Sequence, residues 1–156
     1  GMVPCSMSAQ AERGFTLVEL IVTMIVVGIL AVAVIPRFAD RSGFDARGFH
    51  DGVLSVLRYA QKSAVAQRRP VCVTFGAGSV TLRIASTWGG ACDKSLTGPN
   101  GVTPYALAAP ATSGFVAQPA DFSFLPSGGA SAGQVINVTG MPASPINVVA
   151  ATGYVY

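Results

Sequence analysis

The sequence predicts an α+β protein in which a long N-terminal helix packs on an antiparallel β-sheet. Three observations lead to this fold class: an apolar run over residues 15–35, a helical pattern from Asp45 to Arg69, and short β-like runs after Pro70. An apolar helix stripe has to be covered, and the apolar face of a sheet is the partner that a chain of this pattern offers.

Composition limits the classes of function. The 156 residues suit about one domain, and 51% hydrophobic content excludes a disordered chain. A formal net charge of +3 argues against a strongly electrostatic nucleic-acid binder. Charge is also uneven, because Asp121 is the one formally charged side chain after Lys94.

The first element is an apolar segment, Phe15–Ile35, which carries one charge, Glu19. As a helix it would extend about 31 Å, against roughly 30 Å of bilayer hydrocarbon. A secretory signal peptide has a shorter apolar run of about 7–15 residues, so we expect residues 15–36 to form a membrane-spanning helix. A carboxylate in hydrocarbon costs several kcal/mol, which makes Glu19 a candidate functional residue.

The stretch Arg13–Glu19, followed by this apolar run, resembles the processing signal of type IV prepilins and type II secretion pseudopilins. The resemblance implies that a prepilin peptidase cuts after Gly14 and that the new N-terminal residue, Phe15, is N-methylated. Residues 1–14 would then be a cytoplasmic leader. The rest would cross the inner membrane once, with lipid and an assembly platform as partners, before entering a pilus or pseudopilus with its periplasmic domain.

Cleavage would place an ammonium group on Phe15, four residues before Glu19. In a filament the Glu19 carboxylate could pair with the ammonium of a neighbouring subunit, a pairing that counts for more at low dielectric than in water. A pair within one subunit and a carboxylate protonated in lipid are the alternatives. Pro36 predicts a helix break or kink near residues 32–36, or else the point where the helix leaves the membrane.

Residues 37–70 form the predicted amphipathic helix, with a break and an N-cap at Ser42–Asp45 and an end at Pro70. Its apolar stripe comprises Phe49, Val53, Val56, Leu57, Ala60 and Ala64. The opposite face carries Arg58, Lys62 and Arg69. Such a face is either only solvated or in contact with an anion or an acidic neighbour.

A second resemblance covers this helix and its continuation. Leu57–Val73 resembles the GspH/FimT branch of minor pilins, and Ile35–Phe38, Gly43–Arg47 and Arg58–Lys62 resemble the minor prepilins of the mannose-sensitive haemagglutinin (MSHA) pilus. This implies a pilin-like fold and a structural minor pilin that joins or initiates an MSHA-like pilus. A type II secretion pseudopilin is the alternative. A FimT-like DNA-binding role is disfavoured, because the sequence after Lys94 lacks cations.

Residues 71–156 form the predicted periplasmic β-rich domain. Val71–Phe75 and Val80–Ile84 flank a Gly-rich turn and predict a hairpin. Later predicted strands are Val102–Leu107, Phe122–Leu125, Val135–Thr139, Ile146–Val149 and Tyr154–Tyr156.

Two of the three cysteines would face the oxidising periplasm. Cys72 and Cys92 can therefore pair, and a bridge between them would stabilise the fold by roughly 3 kcal/mol. Two separate buried thiols are the alternative. Cys5 lies in the predicted leader.

Catalytic motifs are weak in this chain. Gly129–Gly133 satisfies G-x-S-x-G around Ser131, but that signature needs a strand, a sharp turn and a helix, with an acid and a histidine after the serine. The one histidine, His50, precedes it. The spacing of His, Cys, Asp and Glu offers no metal site, so we predict no enzyme, no metal and no cofactor.

Overall fold

A computed structural model describes residues 1–3, 13–39 and 42–156 of the chain. The chain divides into two compact units, Gly1–Asp40 and Arg41–Tyr156. The first contains helix α1 (Leu17–Ala39); the second contains helix α2 (Ser42–Gln67) followed by β-strands. The fold class is therefore α+β with antiparallel sheets, as the sequence predicts.

The strands of the second unit form two antiparallel sheets. The strands are β1 (Val71–Phe75), β2 (Ser79–Ile84), β3 (Lys94–Ser95), β4 (Ala106–Ala108), β5 (Phe122–Phe124), β6 (Gln134–Ile136) and β7 (Ile146–Val148). The larger sheet has the order β3-β2-β1-β5, with β4 also paired to β2, and the smaller sheet pairs β6 with β7.

The stripe of α2 fills the core of this unit. All six residues of the predicted apolar stripe are buried, and α2 contacts β1, β2, β4 and β5. Inward-facing side chains of β1, namely Val71, Val73 and Phe75, alternate with less buried ones, as expected for a strand with one covered face. The helix thus supplies one layer of the core and the sheet the other.

The predicted β1–β2 hairpin is confirmed. Its register pairs Val71 with Ile84 and Phe75 with Val80. The turn is closed by a hydrogen bond from the Gly76 N–H to the Ser79 carbonyl, at 2.9 Å.

The predicted ends of α2 are wrong by a few residues. α2 begins at Ser42, so Asp45 lies in its first turn rather than capping it. Gly43 does not break the helix, because one glycine costs only about 1 kcal/mol against alanine. At the other end α2 stops at Gln67, and Arg68 takes a left-handed conformation (φ 53°) before Pro70.

Some predicted strands are shorter, and one strand was not predicted. Only Ala106–Ala108 of the region around residues 102–107 is a strand, and residues 154–156 form an isolated bridge between Val155 and Val148. β3 escaped prediction because two polar residues at a sheet edge show no alternation.

α1 is one continuous helix through Pro36 to Ala39, so the predicted helix break near residues 32–36 is wrong. A proline removes one backbone hydrogen bond and costs about 3 kcal/mol, but the turns on either side can still form. A kink at Pro36 stays a prediction. Among the described residues, no helix has both the length and the apolar character that a membrane crossing requires.

Candidate functional site

The start of α1 is built by a side-chain cap. Thr16 precedes the first helical residue, and its hydroxyl oxygen accepts the Glu19 N–H at 3.2 Å. Its carbonyl accepts the Leu20 N–H at 3.1 Å, the first bond of the helix. Thr16 is therefore the N-cap, and Thr16 and Glu19 have the spacing of a capping box. The Thr16 cap, which directly follows Phe15, therefore fixes the start of the helix at Leu17.

The peptide bond between Gly14 and Phe15 lies outside the helix. Within the part of the chain that the structure describes, no atom lies within 4 Å of the position that a Cβ would take on Gly14, and the Phe15 side chain is 79% exposed. A shallow pocket is lined by Arg13, Gly14, Phe15, Thr16 and Glu19. A peptide bond that lies outside the helix, beside an exposed side chain, is accessible to an enzyme.

Glu19 is exposed in the first turn of α1. Within the described residues its carboxylate forms neither an ion pair nor a hydrogen bond, and Arg13, although it lines the same pocket, does not pair with it. A carboxylate at this end of a helix is favoured by the helix dipole. Glu19 is therefore available to a cation from another molecule.

The apolar side chains of α1 have no cover within the first unit. From Leu17 to Val32 its large apolar side chains are 47–75% exposed, on every face of the helix. A helix that is apolar on every face is normally buried, either inside a protein or in a membrane. Lipid and other apolar helices both fit this requirement.

Two family models match the chain. The model described as "Prokaryotic N-terminal methylation motif" matches residues 10–35, which include Gly14, Phe15 and Glu19. The model described as "Type II transport protein GspH" matches residues 51–153, more than half of the chain. The chain belongs to the GspH family of type II transport proteins. Searches of curated proteins and of solved structures gave no match.

Membership of the GspH family, together with the methylation motif, makes this chain a minor pilin or pseudopilin that prepilin peptidase processes. GspH-family proteins are membrane-anchored structural subunits that assemble with other pilin subunits into a pilus or pseudopilus. The processing signal at Arg13–Glu19 and the stretch Leu57–Val73 carried this resemblance in the sequence. Both overlap the matched segments.

The GspH-matched unit contains a disulfide between Cys72 and Cys92, with a Cα–Cα distance of 6.1 Å. It ties β1 to the loop that follows β2. Cys5 and most of the predicted leader, residues 4–12, lie outside the described residues.

The weak catalytic motif has a structural role. The Ser131 hydroxyl accepts the Ser123 N–H at 2.9 Å, next to a bridge between Phe124 and Ala130. Residues 71–156, all of them described, contain no helix, so the turn around Ser131 lacks the helix of a nucleophile elbow. His50 contacts Asp51 at 3.0 Å, and the described part of the chain holds no group of three metal-ligating residues.

One cation on the basic face of α2 holds the C-terminal segment in place, a role that sequence reasoning missed. Arg58 donates Nε and Nη2 hydrogen bonds to the Val155 carbonyl, each at 3.2 Å. One turn on, the Gln61 amide donates to the Gly128 and Thr152 carbonyls at 3.0 and 2.9 Å. Lys62 forms no such bond among the described residues. No local pattern could have revealed the Arg58 contact, because 97 positions separate the two residues.

A second polar contact braces the loop between β2 and β3. The Asp93 carboxylate accepts the Ser86 N–H at 2.8 Å and the Ser86 hydroxyl. The hydroxyl bond, followed by the N–H bond, lowers the pKa of Asp93 below its ordinary value. The bonds link the two ends of the loop.

Proposed function

We propose that this GspH-family protein is cut between Gly14 and Phe15, methylated on the new Phe15 amine, and incorporated as a minor subunit into a type IV pilus-like filament. The observation that supports this most is the Thr16 cap. It places the start of the helix just after the exposed Phe15, so removal of the leader would leave the helix start intact.

Before assembly, in this proposal, residues 15–36 cross the inner membrane once and residues 37–156 lie in the periplasm. The exposed apolar side chains of α1 support this, because lipid would cover them before neighbouring helices do. The side chains of the last residues of this segment, 34–36, lie outside the described part. The inner-membrane assembly platform is the partner expected at this stage.

Glu19 acts in this proposal as the registry group. Its carboxylate has no partner among the described residues of its own chain, and the new ammonium of a neighbouring Phe15 is a cation that it could meet in the filament. In an apolar helix bundle an unpaired charge costs several kcal/mol, so a subunit out of register would be strongly disfavoured.

Mass spectrometry of the mature chain tests the processing step. With an active prepilin peptidase, we expect a polypeptide that starts at Phe15 and carries the mass of one added methyl group. The Gly14→Val variant should keep residues 1–14, because a β-branched side chain would fill the open space beside the bond. A mature wild-type chain that still carries the first fourteen residues would overturn the proposal.

Filament incorporation tests the role of Glu19. We expect Glu19→Ala to insert and to lose its leader, yet to be depleted from sheared filaments, whereas Glu19→Asp should retain part of the incorporation. Thr23→Ala is the matched control, since the Thr23 hydroxyl donates to the Leu20 carbonyl of its own helix at 2.8 Å. Normal incorporation of Glu19→Ala would show that the carboxylate sets no register.

Two lines of support favour two different systems that could use the filament. The resemblance of residues 35–38, 43–47 and 58–62 to MSHA minor prepilins favours an MSHA-like pilus. The GspH match favours a type II secretion pseudopilus as the second candidate. Deletion of the gene should abolish surface pili in the first case and leave protein secretion normal, and the second case predicts the reverse.

A further inference from the structure

The loop between β2 and β3 holds a large apolar side chain in solvent. Trp88, the one tryptophan of the chain, lies in this loop and is 78% exposed. Two contacts brace the base of the loop, namely the Cys72–Cys92 disulfide and the Ser86 N–H bond to the Asp93 carboxylate at 2.8 Å. A tryptophan on a braced loop loses little conformational freedom when it is bound, and tryptophan is enriched at interface hot spots.

This loop lies against the junction between α2 and β1. The Ala85 N–H donates to the Pro70 carbonyl at 3.0 Å, and the Cys92 sulfur lies 3.7 Å from the same oxygen. On the other side of the loop, Lys94 of β3 pairs with Ile84 of β2. The loop therefore shares one end of the globular unit with residues from the end of α2 and from both neighbouring strands.

Four cations lie within two positions of these contacts at the base of the loop: Arg68, Arg69, Arg83 and Lys94. Their side chains are exposed or half-buried. Within the described part of the chain, none of the four forms an ion pair or donates a side-chain hydrogen bond. Together with Trp88 they make up what we call the basic tryptophan surface.

The charge of the basic tryptophan surface stays positive when the negative charges beside it are counted. Asp93 is the one carboxylate of the loop, and the Ser86 bonds, the hydroxyl bond first, lower its pKa and keep it ionised. α2 ends here, and the C-terminal end of a helix adds about half a negative charge. Four cations exceed both, so this surface favours an acidic ligand, and most strongly at low salt.

The acidic ligand is not offered by a second copy of the globular unit. Each carboxylate in its described residues already has a partner in its own chain: Asp45 accepts the Thr112 hydroxyl, Asp51 pairs with His50, Asp93 accepts Ser86, and Asp121 accepts the Phe75 N–H. A nucleic-acid strand fits poorly as well, because the sequence after Lys94 provides no further cations to follow its backbone. GspH-family proteins assemble with other pilin subunits, which leaves a different subunit as the partner.

We propose that the basic tryptophan surface binds an acidic surface of a different pilin subunit, with Trp88 as the central apolar contact and the four cations facing Asp or Glu side chains of that subunit. A contact with a different subunit suits a minor pilin, which enters a filament among other subunits. The charges set the orientation, and the buried tryptophan supplies most of the affinity. The inference rests on the proposed filament role, but not on Glu19.

Photocrosslinking of the full chain in cells tests this contact. The photoreactive residue p-benzoylphenylalanine replaces Ala91, an exposed residue of the loop, so that the basic tryptophan surface keeps all its side chains. Cells with the complete set of filament genes are irradiated, and mass spectrometry identifies the crosslinked peptide. We expect an adduct with a different pilin subunit, in a segment that carries Asp or Glu.

Two variants with matched controls separate the tryptophan from the cations. Trp88→Ala should lower the adduct yield about thirtyfold, as for the loss of a hot-spot residue, whereas Tyr154→Ala, at an exposed aromatic residue outside the loop, should leave it unchanged. The double variant Arg83→Glu/Lys94→Glu should lower the yield roughly tenfold. Arg47→Glu, at an exposed arginine near the start of α2, should have no effect. All these residues are exposed, so the substitutions should not unfold the chain.

Charge reversal in the partner completes the test. Lysine in place of the carboxylates of the crosslinked segment should restore the adduct of the Arg83→Glu/Lys94→Glu variant. An adduct with a second copy of this chain, with nucleic acid or with lipid would overturn the inference. So would a crosslinked segment without carboxylates, or equal yields for the variants and their controls.

Leader removal and filament entry are measured on the same samples. An absent adduct in chains that start at Phe15 and enter filaments overturns only the contact at the basic tryptophan surface. Chains that keep residues 1–14, or that never enter filaments, count against the proposed function itself, and the inference fails with it.

Discussion

The two helices of this chain differ in how their apolar side chains are covered. α2 turns one stripe toward the sheet and buries it, and its other face is polar. α1 is apolar on every face and leaves those side chains exposed in its own chain. The difference teaches that the globular unit is stabilised from within, whereas α1 depends on molecules outside the chain.

The largest expected effect is a difference in the free energy of unfolding between the same substitution, leucine to alanine, made in each of the two helices. Leu57→Ala in α2 removes a fully buried side chain and should lower the free energy of unfolding of the globular unit by about 2–5 kcal/mol. Leu30→Ala in α1, where the side chain is 58% exposed, should leave that value unchanged. Urea unfolding of the full chain in detergent measures both, and equal losses would remove the distinction.

Reduction of the disulfide should give the next largest effect. Opening the Cys72–Cys92 bridge, or replacing both residues by serine, should lower the stability of the globular unit by about 3 kcal/mol, because the unfolded chain regains the entropy of the closed loop. The helix content of α1 should not change. Thermal unfolding with and without reductant measures the loss, and an unchanged midpoint would contradict the prediction.

A smaller effect is expected where α2 holds the C-terminal segment. Arg58→Ala removes both hydrogen bonds to the Val155 carbonyl and should cost about 1–2 kcal/mol, with faster amide exchange in residues 154–156. Lys62→Ala, on the same face but without such bonds, should cost less than about 0.5 kcal/mol. If the two variants lose the same stability, the Arg58 hydrogen bonds to Val155 contribute nothing to the free energy of unfolding.

The smallest effect concerns pH. The folded pKa of Asp93 is lowered by the Ser86 bonds, so their contribution is present above the ordinary carboxyl pKa and is lost as the pH falls through the folded pKa. Ser86→Ala should move the Asp93 pKa upward, toward its ordinary value, and flatten this acid-side loss. Carboxyl NMR titration measures the shift; α1 should show no matching change.

Periodicity and turn composition predicted the parts of the fold that depend on neighbours along the chain. The six-residue stripe of α2 and the β1–β2 hairpin are of this kind, and so is the apolar run that became α1. Distant contacts were not predictable. Asp45 looked like a cap, but its carboxylate accepts the Thr112 hydroxyl at 2.6 Å, a partner 67 positions away.

The candidate site divides in the same way. Gly14, Phe15 and Glu19 lie within six residues, so their motif could be read from the sequence alone, and the Thr16 cap follows from the same stretch. The apolar pocket lined by Phe44, Leu107 and Pro110 could not be found in this way, because it combines residues from separate elements.

The Thr16 cap also has an electrostatic consequence. A cut at the proposed bond would put a full positive charge one residue ahead of the cap, where the unpaired N–H groups of the helix already point. Two positive poles would then lie side by side, and Glu19 alone would offset them. Proteolysis would thus convert a neutral stretch of backbone into a positively charged site that attracts a second carboxylate. Each subunit would carry this positive site before it meets another subunit.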